Sequence, residues 1–459
     1  MVSSAERLAS NLDFGMLGRA QELKKRLWFV LGALVVYRIG TYVPVPGIDP
    51  AALEQIFQQH QGGVLGMFNM LAGGALSRMT IFALAVLPYI SASIIIQILT
   101  VAVPSLAALK KEGQSGQRKI NQYTRYGTVF LATIQGYGIA VGLEGMAGPA
   151  GSAVNNPGGY FRFTTTVSLV GGTMFLVWLG EQITARGIGN GISLIIFTGI
   201  VASLPAAIGQ TFELGRTGAL NTGIILMIIA IAMALIAFIV FMERAQRRIV
   251  VQYPKRQVGN KLMAGDSTHL PLKLNTAGVI PPIFASSLLL FPLTIAGFNS
   301  EAGGILTTIT QYLAHGQPAY IITYAALIIF FCFFYTSIVF NPTDTADNLK
   351  KNGGFIAGIR PGTQTAEYLD YVLTRLTFTG SLYLAIVCVI PELFIAKFSI
   401  PFQLGGTGLL IVVTVIIDFV AQVQSHLFAH QYEGLIKKSQ LGGGARGGKG
   451  GSRHRNRMR

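Results

Sequence analysis

The chain is short of charge: Asp, Glu, Lys and Arg make up only 12% of its 459 residues, against roughly 25% in an average soluble domain. That scarcity excludes an ordinary soluble globular body. Cysteine is almost missing too, with two in the whole chain. Both Cys332 and Cys388 fall inside apolar runs, so neither is assigned to an extracellular disulfide framework and both read as small buried side chains. Acidic residues are the scarcer sign, 19 against 35 Lys and Arg, which leaves a net charge of +16. A basic excess is the usual first sign of nucleic-acid binding. Here the basic residues cluster in short connections between apolar runs and in the tail from Lys437 to Arg459, which is the pattern of membrane topology determinants.

Groups that would carry chemistry or ion coupling are equally thin. Ionisable residues inside a span mark ion and proton paths, yet Arg38 lies near the outer end of the first span, where it can snorkel, and Glu181 and Glu392 sit at span ends. Only Asp418 is moderately deep. A coupled transporter needs more buried charge and helices interrupted at the midplane; an intramembrane enzyme needs a nucleophile with its base. The tail GGARGGKG, Gly443 to Gly450, approaches a phosphate loop, but Gly450 stands where Ser or Thr would hold magnesium, and no strand precedes it. His426 and His430 have metal-ligand spacing on one helix face but no third ligand nearby. No cofactor, metal or catalytic residue is expected, and any directional work draws its energy from a partner.

What the chain has is long apolar runs: Met79 to Leu109, Gly187 to Phe212, Thr217 to Met242, Leu274 to Ser300 and Ala302 to Thr343. A spanning helix needs about 20 mostly apolar residues. Reading runs against polar connections predicts an all-α membrane protein of ten spans, beginning near Leu27, Met79, Tyr123, Phe163, Gly191, Thr222, Thr276, Ala319, Leu376 and Gly405. Lys24, Lys25 and Arg26 precede the first run, which continues to Val43 without a cleavage site, so it is expected to be a retained span. With the N-terminus in the cytoplasm, all but five of the 35 Lys and Arg fall on that side. The exceptions are Arg38, Arg78, Arg162, Arg216 and Lys397. The positive-inside rule therefore predicts both termini inside.

Three inner connections are unusually basic: 110–125 with Lys110, Lys111, Arg118, Lys119 and Arg125; 244–273; and 341–375. They read as docking surfaces for something acidic or as plain orientation determinants, and charge alone does not choose. The stretch from Gln61 to Ser77, QGGVLGMFNMLAGGALS, is too short and glycine-rich to span and too apolar for an outer loop. It reads as re-entrant, and irregular backbone at that depth needs protein or a water-filled cavity around it.

Five stretches carry a family resemblance: TIFALAVLPYISASIIIQIL (80–99), GQRKINQYTRYGT (116–128), WLGEQITARGIGNGISLIIF (178–197), STHLPLKLNTAGVIPPIFASS (267–287) and GIRPGTQTAEYL (358–369). Together, over about Leu12 to Lys438, the chain resembles the SecY/Sec61-alpha family of pore-forming subunits of protein-export translocons. The resemblance implies two pseudo-symmetric halves, spans one to five and six to ten, around a central pore. Residues 1–26 would then be a cytoplasmic segment, 27–210 the first half with a re-entrant plug near 62–75, 211–432 the second half, and 433–459 a flexible basic tail. It implies no enzyme but a passive conduit in the bacterial inner membrane, passing unfolded secretory chains outward and releasing apolar segments sideways into lipid.

By the same resemblance an apolar pore ring maps to Val86, Ile90, Ile192, Ile196, Ile283 and Ile411. Val86/Ile90 and Ile192/Ile196 are each i, i+4, so each pair faces one way; apolar constrictions gate by excluding water. The plug maps to Gly66, Met67, Phe68, Asn69, Met70, Leu71, Ala72, Gly73 and Gly74. The lateral gate lies between spans two and three and spans seven and eight, with Ser91, Gln97, Gln135 and Ser287 as its polar contacts, each equally readable as an interhelical hydrogen-bonding group. Lys255, Arg256 and Arg360 match positions that dock the ribosome or the SecA motor. The implied partners are SecE and SecG in a heterotrimer, the SecA ATPase, the ribosome, SecDF and YidC, signal sequences, unfolded preproteins and membrane lipids.

Overall fold

The computed structural model describes residues 21–49, 53, 69, 72–144, 147–148, 151–152, 154–217, 222–254, 256–258, 261–263, 267–297, 317–398 and 405–444. Ten helices lie where ten spans are expected: α1 (Gln21–Gly40), α2 (Leu87–Ala102), α4 (Gln114–Glu144), α5 (Gly159–Arg186), α6 (Gly191–Arg216), α7 (Thr222–Arg244), α8 (Ile280–Gly297), α9 (Pro318–Val339), α11 (Thr363–Phe398) and α12 (Gly406–Gly444). Two short helices, α3 (Pro104–Lys111) and α10 (Pro342–Lys351), join them. Among the described residues α4, α5, α6, α7, α9, α11 and α12 are each long and apolar enough to cross a membrane, and α2 with α3 passes as a bent pair. α1 is 20 residues long with charged residues in its first turns, and α8 is a shorter apolar helix.

The helices start where local chemistry allows, which shifts several expected boundaries. The second span does not begin at Met79: residues 72–86 are turns, and helix starts only at Leu87. Pro88 occupies the first turn, where a missing N–H is not needed. At the other end Val103 is extended (φ −109°, ψ 115°) ahead of Pro104, and α3 leaves α2 at 99°. Proline disfavours helical backbone in the residue before it, so the unbroken run expected from Met79 to Leu109 is bent. Conversely, α4 begins at Gln114 rather than near Tyr123, and carries Arg118, Lys119 and Arg125 on helix instead of loop. α11 likewise begins at Thr363, ahead of Leu376.

Among the described residues strands occur only in connections. β1 (Ala147–Gly148) and β2 (Gly151–Ser152) pair in one, and residues 244–273 form β3 (Gln246–Gln252), β4 (Arg256–Val258), β5 (Lys261–Met263) and β6 (Ser267–Lys273). β3 pairs antiparallel with β6 and with β7 (Phe355–Ile356), in the order β6-β3-β7. The alternation in QRRIVVQ explains it: Ile249 and Val251 point inward and are buried, while Arg248 and Val250 beside and between them face out. Ile249, Leu272, Ile356 and Leu369 make a small core of their own, which seats the hairpin on the start of α11.

The helices pack in two groups. α1, α2, α4, α5 and α6 share one set of contacts, and α7, α8, α9, α11 and α12 share another. α8 bridges them by packing against α2 and α4, and α12 by packing against α6 and α1. α7 is almost wholly apolar, yet among its described side chains only Ile225, Leu235 and Ile239 are buried. An all-round hydrophobic helix with so little protein around it must meet lipid or another chain.

Candidate functional site

Six apolar side chains from four helices meet where the two groups face each other. Val86, Ile196 and Ile411 are buried in one cluster, at 1%, 8% and 2% exposure, and Ile90, Ile192 and Ile283 pack against it. All six residues expected on the pore ring are therefore brought together. Val86 sits just ahead of α2 and Ile90 in its first turn, the Val86 carbonyl accepting from the Ile90 N–H at 3.1 Å. Ile192 and Ile196 ride on the first turns of α6, whose start is set by Asn190: its side-chain oxygen accepts from the N–H groups of Ile192 (3.1 Å) and Ser193 (3.5 Å). Ile283 comes from the first turn of α8 and Ile411 from α12.

The turn segment closes on the same cluster. Of the nine expected plug residues, Asn69, Ala72, Gly73 and Gly74 are described, whereas Gly66, Met67, Phe68, Met70 and Leu71 lie outside the described residues. Ala72 and Ala75 belong to the apolar cluster. Gly73 has φ +65°, and a Cβ there would lie 3.0 Å from the Cα of Gly199, so the segment rests on the α6 backbone one turn beyond Ile196. Gly172 of α5 leaves similar room: a Cβ on it would come 1.9 Å from the Ile81 carbonyl oxygen.

Non-helical backbone this deep must find partners for its polar groups, and it does. The N–H of Val45 donates to the Met79 carbonyl (3.0 Å), Ile81 N–H to Val43 (3.1 Å), Gly74 N–H to Asn69 (2.7 Å), and Ser77 N–H to the Asn69 side-chain oxygen (2.8 Å). Tyr37 Oη donates to the Ala72 carbonyl at 3.4 Å and Arg38 Nη1 to the Gly73 carbonyl at 2.9 Å. Rather than merely snorkelling, Arg38 is tied to this segment. In the sequence its one mark is a positive charge on the outer side of the expected topology.

The four polar residues expected at a lateral opening lie on α2 (Ser91, Gln97), α4 (Gln135) and α8 (Ser287), the helices that meet at the seam. Gln97 bonds within its own helix, Nε2 donating to Ser93 Oγ at 3.1 Å. The Ser287 hydroxyl is buried without a hydrogen-bond partner. Beyond them, Ile94 of α2 joins a cluster with Phe284, Leu289 and Ile328 of α8 and α9, and Lys110 Nζ donates to the Ile338 carbonyl at 3.4 Å. Apolar contacts outnumber polar ones along this seam.

Among the basic residues, Arg360 is exposed on the loop between β7 and α11, its own carbonyl accepting from Thr365 Oγ1 at 2.9 Å. Neighbouring Ile359 packs on the small sheet core, so the loop is anchored while the guanidinium is free to reach out. Arg256 lies on β4, and Lys255 lies outside the described residues.

The carboxylates change rank. Asp418, expected to be the deepest, is half exposed and lies 3.9 Å from Lys273; Glu181 is paired with Arg125 through two hydrogen bonds. Glu392 is the buried one, at 5% exposure in α11. Its place near a span end hid that, because burial there comes from neighbouring helices.

Comparison with known proteins matches this arrangement. The SecY family model covers residues 80–420. The protein translocase subunit SecY of Escherichia coli (strain K12) is 59% identical over 94% of this chain and 98% of the relative, and that of Rickettsia bellii (strain RML369-C) is 55% identical over 92% and 98%. In fold the chain is similar to a solved protein conducting channel (TM-score 0.63, 18% identity, covering 88% of this chain and 92% of that one) and to Sec61 in a canine ribosome-channel complex (TM-score 0.60, 17% identity, 88% and 92%). With that much of its length matched, at that identity, by the family's sequence pattern and by its relatives, the chain belongs to the SecY family.

Proposed function

We propose that this chain is the pore-forming subunit of a translocase that passes unfolded polypeptide across the bacterial inner membrane and lets apolar segments leave sideways into lipid. The observation that carries the reading is the convergence of Val86, Ile90, Ile192, Ile196, Ile283 and Ile411 on one apolar cluster, with the Ala72–Ala75 turn packed against it. A ring of branched aliphatic side chains offers water and ions no polar partner, so it seals by dewetting, yet it yields to a chain that brings its own side chains. Residues 66–74 act as the plug on the outer side. The α2/α4 face against α8/α9 is the lateral gate. Its largely apolar seam suits exchange of a protein contact for an apolar signal segment, with Ser91, Gln97, Gln135 and Ser287 as weak polar ties.

The chain is a passive conduit, a reading supported by its relatives named as a translocase subunit and a protein conducting channel. Arg360, with Lys255 and Arg256, docks the SecA motor or the ribosome, whose acidic or phosphate-rich surfaces favour exposed Lys and Arg. Both termini face the cytoplasm, and α7, which buries few of its apolar side chains, accords with contact to lipid or to the small subunits SecE and SecG. SecDF and YidC are further partners. A cysteine at Ile411 tests the reading: it should crosslink to a secretory chain stalled in transit. Crosslinking to a small solute probe but never to the stalled chain would overturn it.

A further inference from the structure

Of the five basic residues expected on the outer side, two are neutralised by a carboxylate. Arg162 bonds Glu144 at 2.6 Å and Arg216 bonds Glu213 at 2.8 Å. Arg38 and Arg78 have no carboxylate partner among the described residues. They meet each other instead, across Tyr42. Arg38 Nη2 donates to Tyr42 Oη at 2.9 Å, and the Arg78 guanidinium carbon lies 4.3 Å from the ring centroid. Like charges are brought together only where something holds them, and here both arms reach the turn segment. Arg38, near the end of α1, grips the Gly73 carbonyl at 2.9 Å; Arg78 belongs to the segment and stacks on a ring carried just beyond α1.

We propose that Arg38, Tyr42 and Arg78 form a clasp that holds the plug segment against the pore ring, and that they are positioning residues for the closed state. The inference rests on reading residues 66–74 as the plug. The two ties lie at opposite ends of the 73–78 turn, so together they fix its orientation as well as its position. Both are non-covalent and lie toward one end of α1, so they can be released without stranding a carboxylate in the protein. Strain at the base of the segment gives the clasp something to resist. Met79 (φ +42°) and Ala85 (φ +49°) hold left-handed backbone with a side chain present, and such positions persist only where surrounding contacts impose them. Arg38 also holds a geometry that lysine reproduces poorly: its rigid fork donates from two separate nitrogens, Nη1 to Gly73 and Nη2 to Tyr42.

The test is the resting ion conductance of the full chain, purified with its membrane partners and reconstituted in a planar bilayer. Loss of one charge-assisted hydrogen bond corresponds to about a tenfold shift in an equilibrium, so Arg38→Gln, which releases Gly73, should raise resting conductance by about tenfold; Arg78→Gln, which loses the cation–π contact to Tyr42, should raise it by about threefold. Arg38→Lys should fall between Arg38→Gln and wild type. Tyr42→Phe keeps the ring and loses only the hydroxyl, so it keeps the test open should an arginine variant fail to accumulate; because the Arg38–Tyr42 bond it removes is exposed and so at the weak end of the range, it should leak about threefold more than wild type. A purely structural role would lower the yield and melting temperature while leaving conductance per channel unchanged, and that result would overturn the clasp. A channel lacking residues 66–74 is the reference. If it conducts while the clasp variants stay as tight as wild type, the clasp is wrong; if it does not conduct, the plug reading falls and the clasp with it.

Discussion

At Asn190 one side chain sets where α6 begins, and with it where Ile192 and Ile196 point. Asn190→Ala removes the acceptor for two N–H groups, and an N-cap of this kind contributes about 1 kcal/mol. The variant should unfold at a lower temperature in detergent; an unchanged melting temperature would show that the cap is not needed. Gly172 is more exacting. A Cβ there meets the backbone oxygen of Ile81 at 1.9 Å, and a carbonyl in a packed turn cannot swing aside as a side-chain end can. Gly172→Ala should cost about 1–3 kcal/mol by overpacking and loosen residues 80–82. Hydrogen exchange at the Ile81 amide, now bonded to Val43, reads that loosening directly; wild-type protection would count against it.

At the level of elements, the joint between α2 and α3 is the clearest case of a proline acting through its neighbour. Val103 is extended, Pro104 opens the next helix, and the axes part by 99°. Pro104→Ala restores an N–H and frees Val103 for helical backbone. Spin labels at Ile98 and Lys110 should then report a separation moving toward the roughly 18 Å Cα spacing of a straight helix. No change would mean that packing of α3 on α4, rather than the proline, enforces the bend. Other element boundaries were readable to within a turn or two. The exceptions are α2, which starts late at Leu87 after a run of turns, and α4 and α11, which start early on polar residues, since a helix can continue into water on polar side chains once its apolar part is packed. The β3/β6 hairpin is only partly legible in QRRIVVQ, where Val250 is as apolar as the buried Ile249 and Val251 beside it.

Across the whole molecule, the residues proposed for docking and those proposed for the lateral gate lie on different elements, so the two roles should separate by mutation. Arg360 is exposed on an anchored loop and supports no core contact. Arg360→Glu should abolish export while the chain still accumulates and inserts normally, measured by pulse-labelled secretion beside membrane content. Unimpaired export would remove Arg360 from the docking site.

The sequence by itself determined the helical membrane class and the number and order of its apolar runs. A bilayer leaves only helices and closed barrels to satisfy the backbone, and runs of about 20 apolar residues are the helical pattern, legible locally. It also determined which way an i, i+4 pair faces. Only the tertiary structure decided that Val86, Ile90, Ile192, Ile196, Ile283 and Ile411, out of many equivalent aliphatic residues, share one cluster. Likewise, only the fold made Arg38 a partner of Gly73, 35 residues away, and Glu392 the buried carboxylate. Those outcomes depend on which helices become neighbours, and helix–helix contact joins residues whose separation along the chain has no periodicity to read.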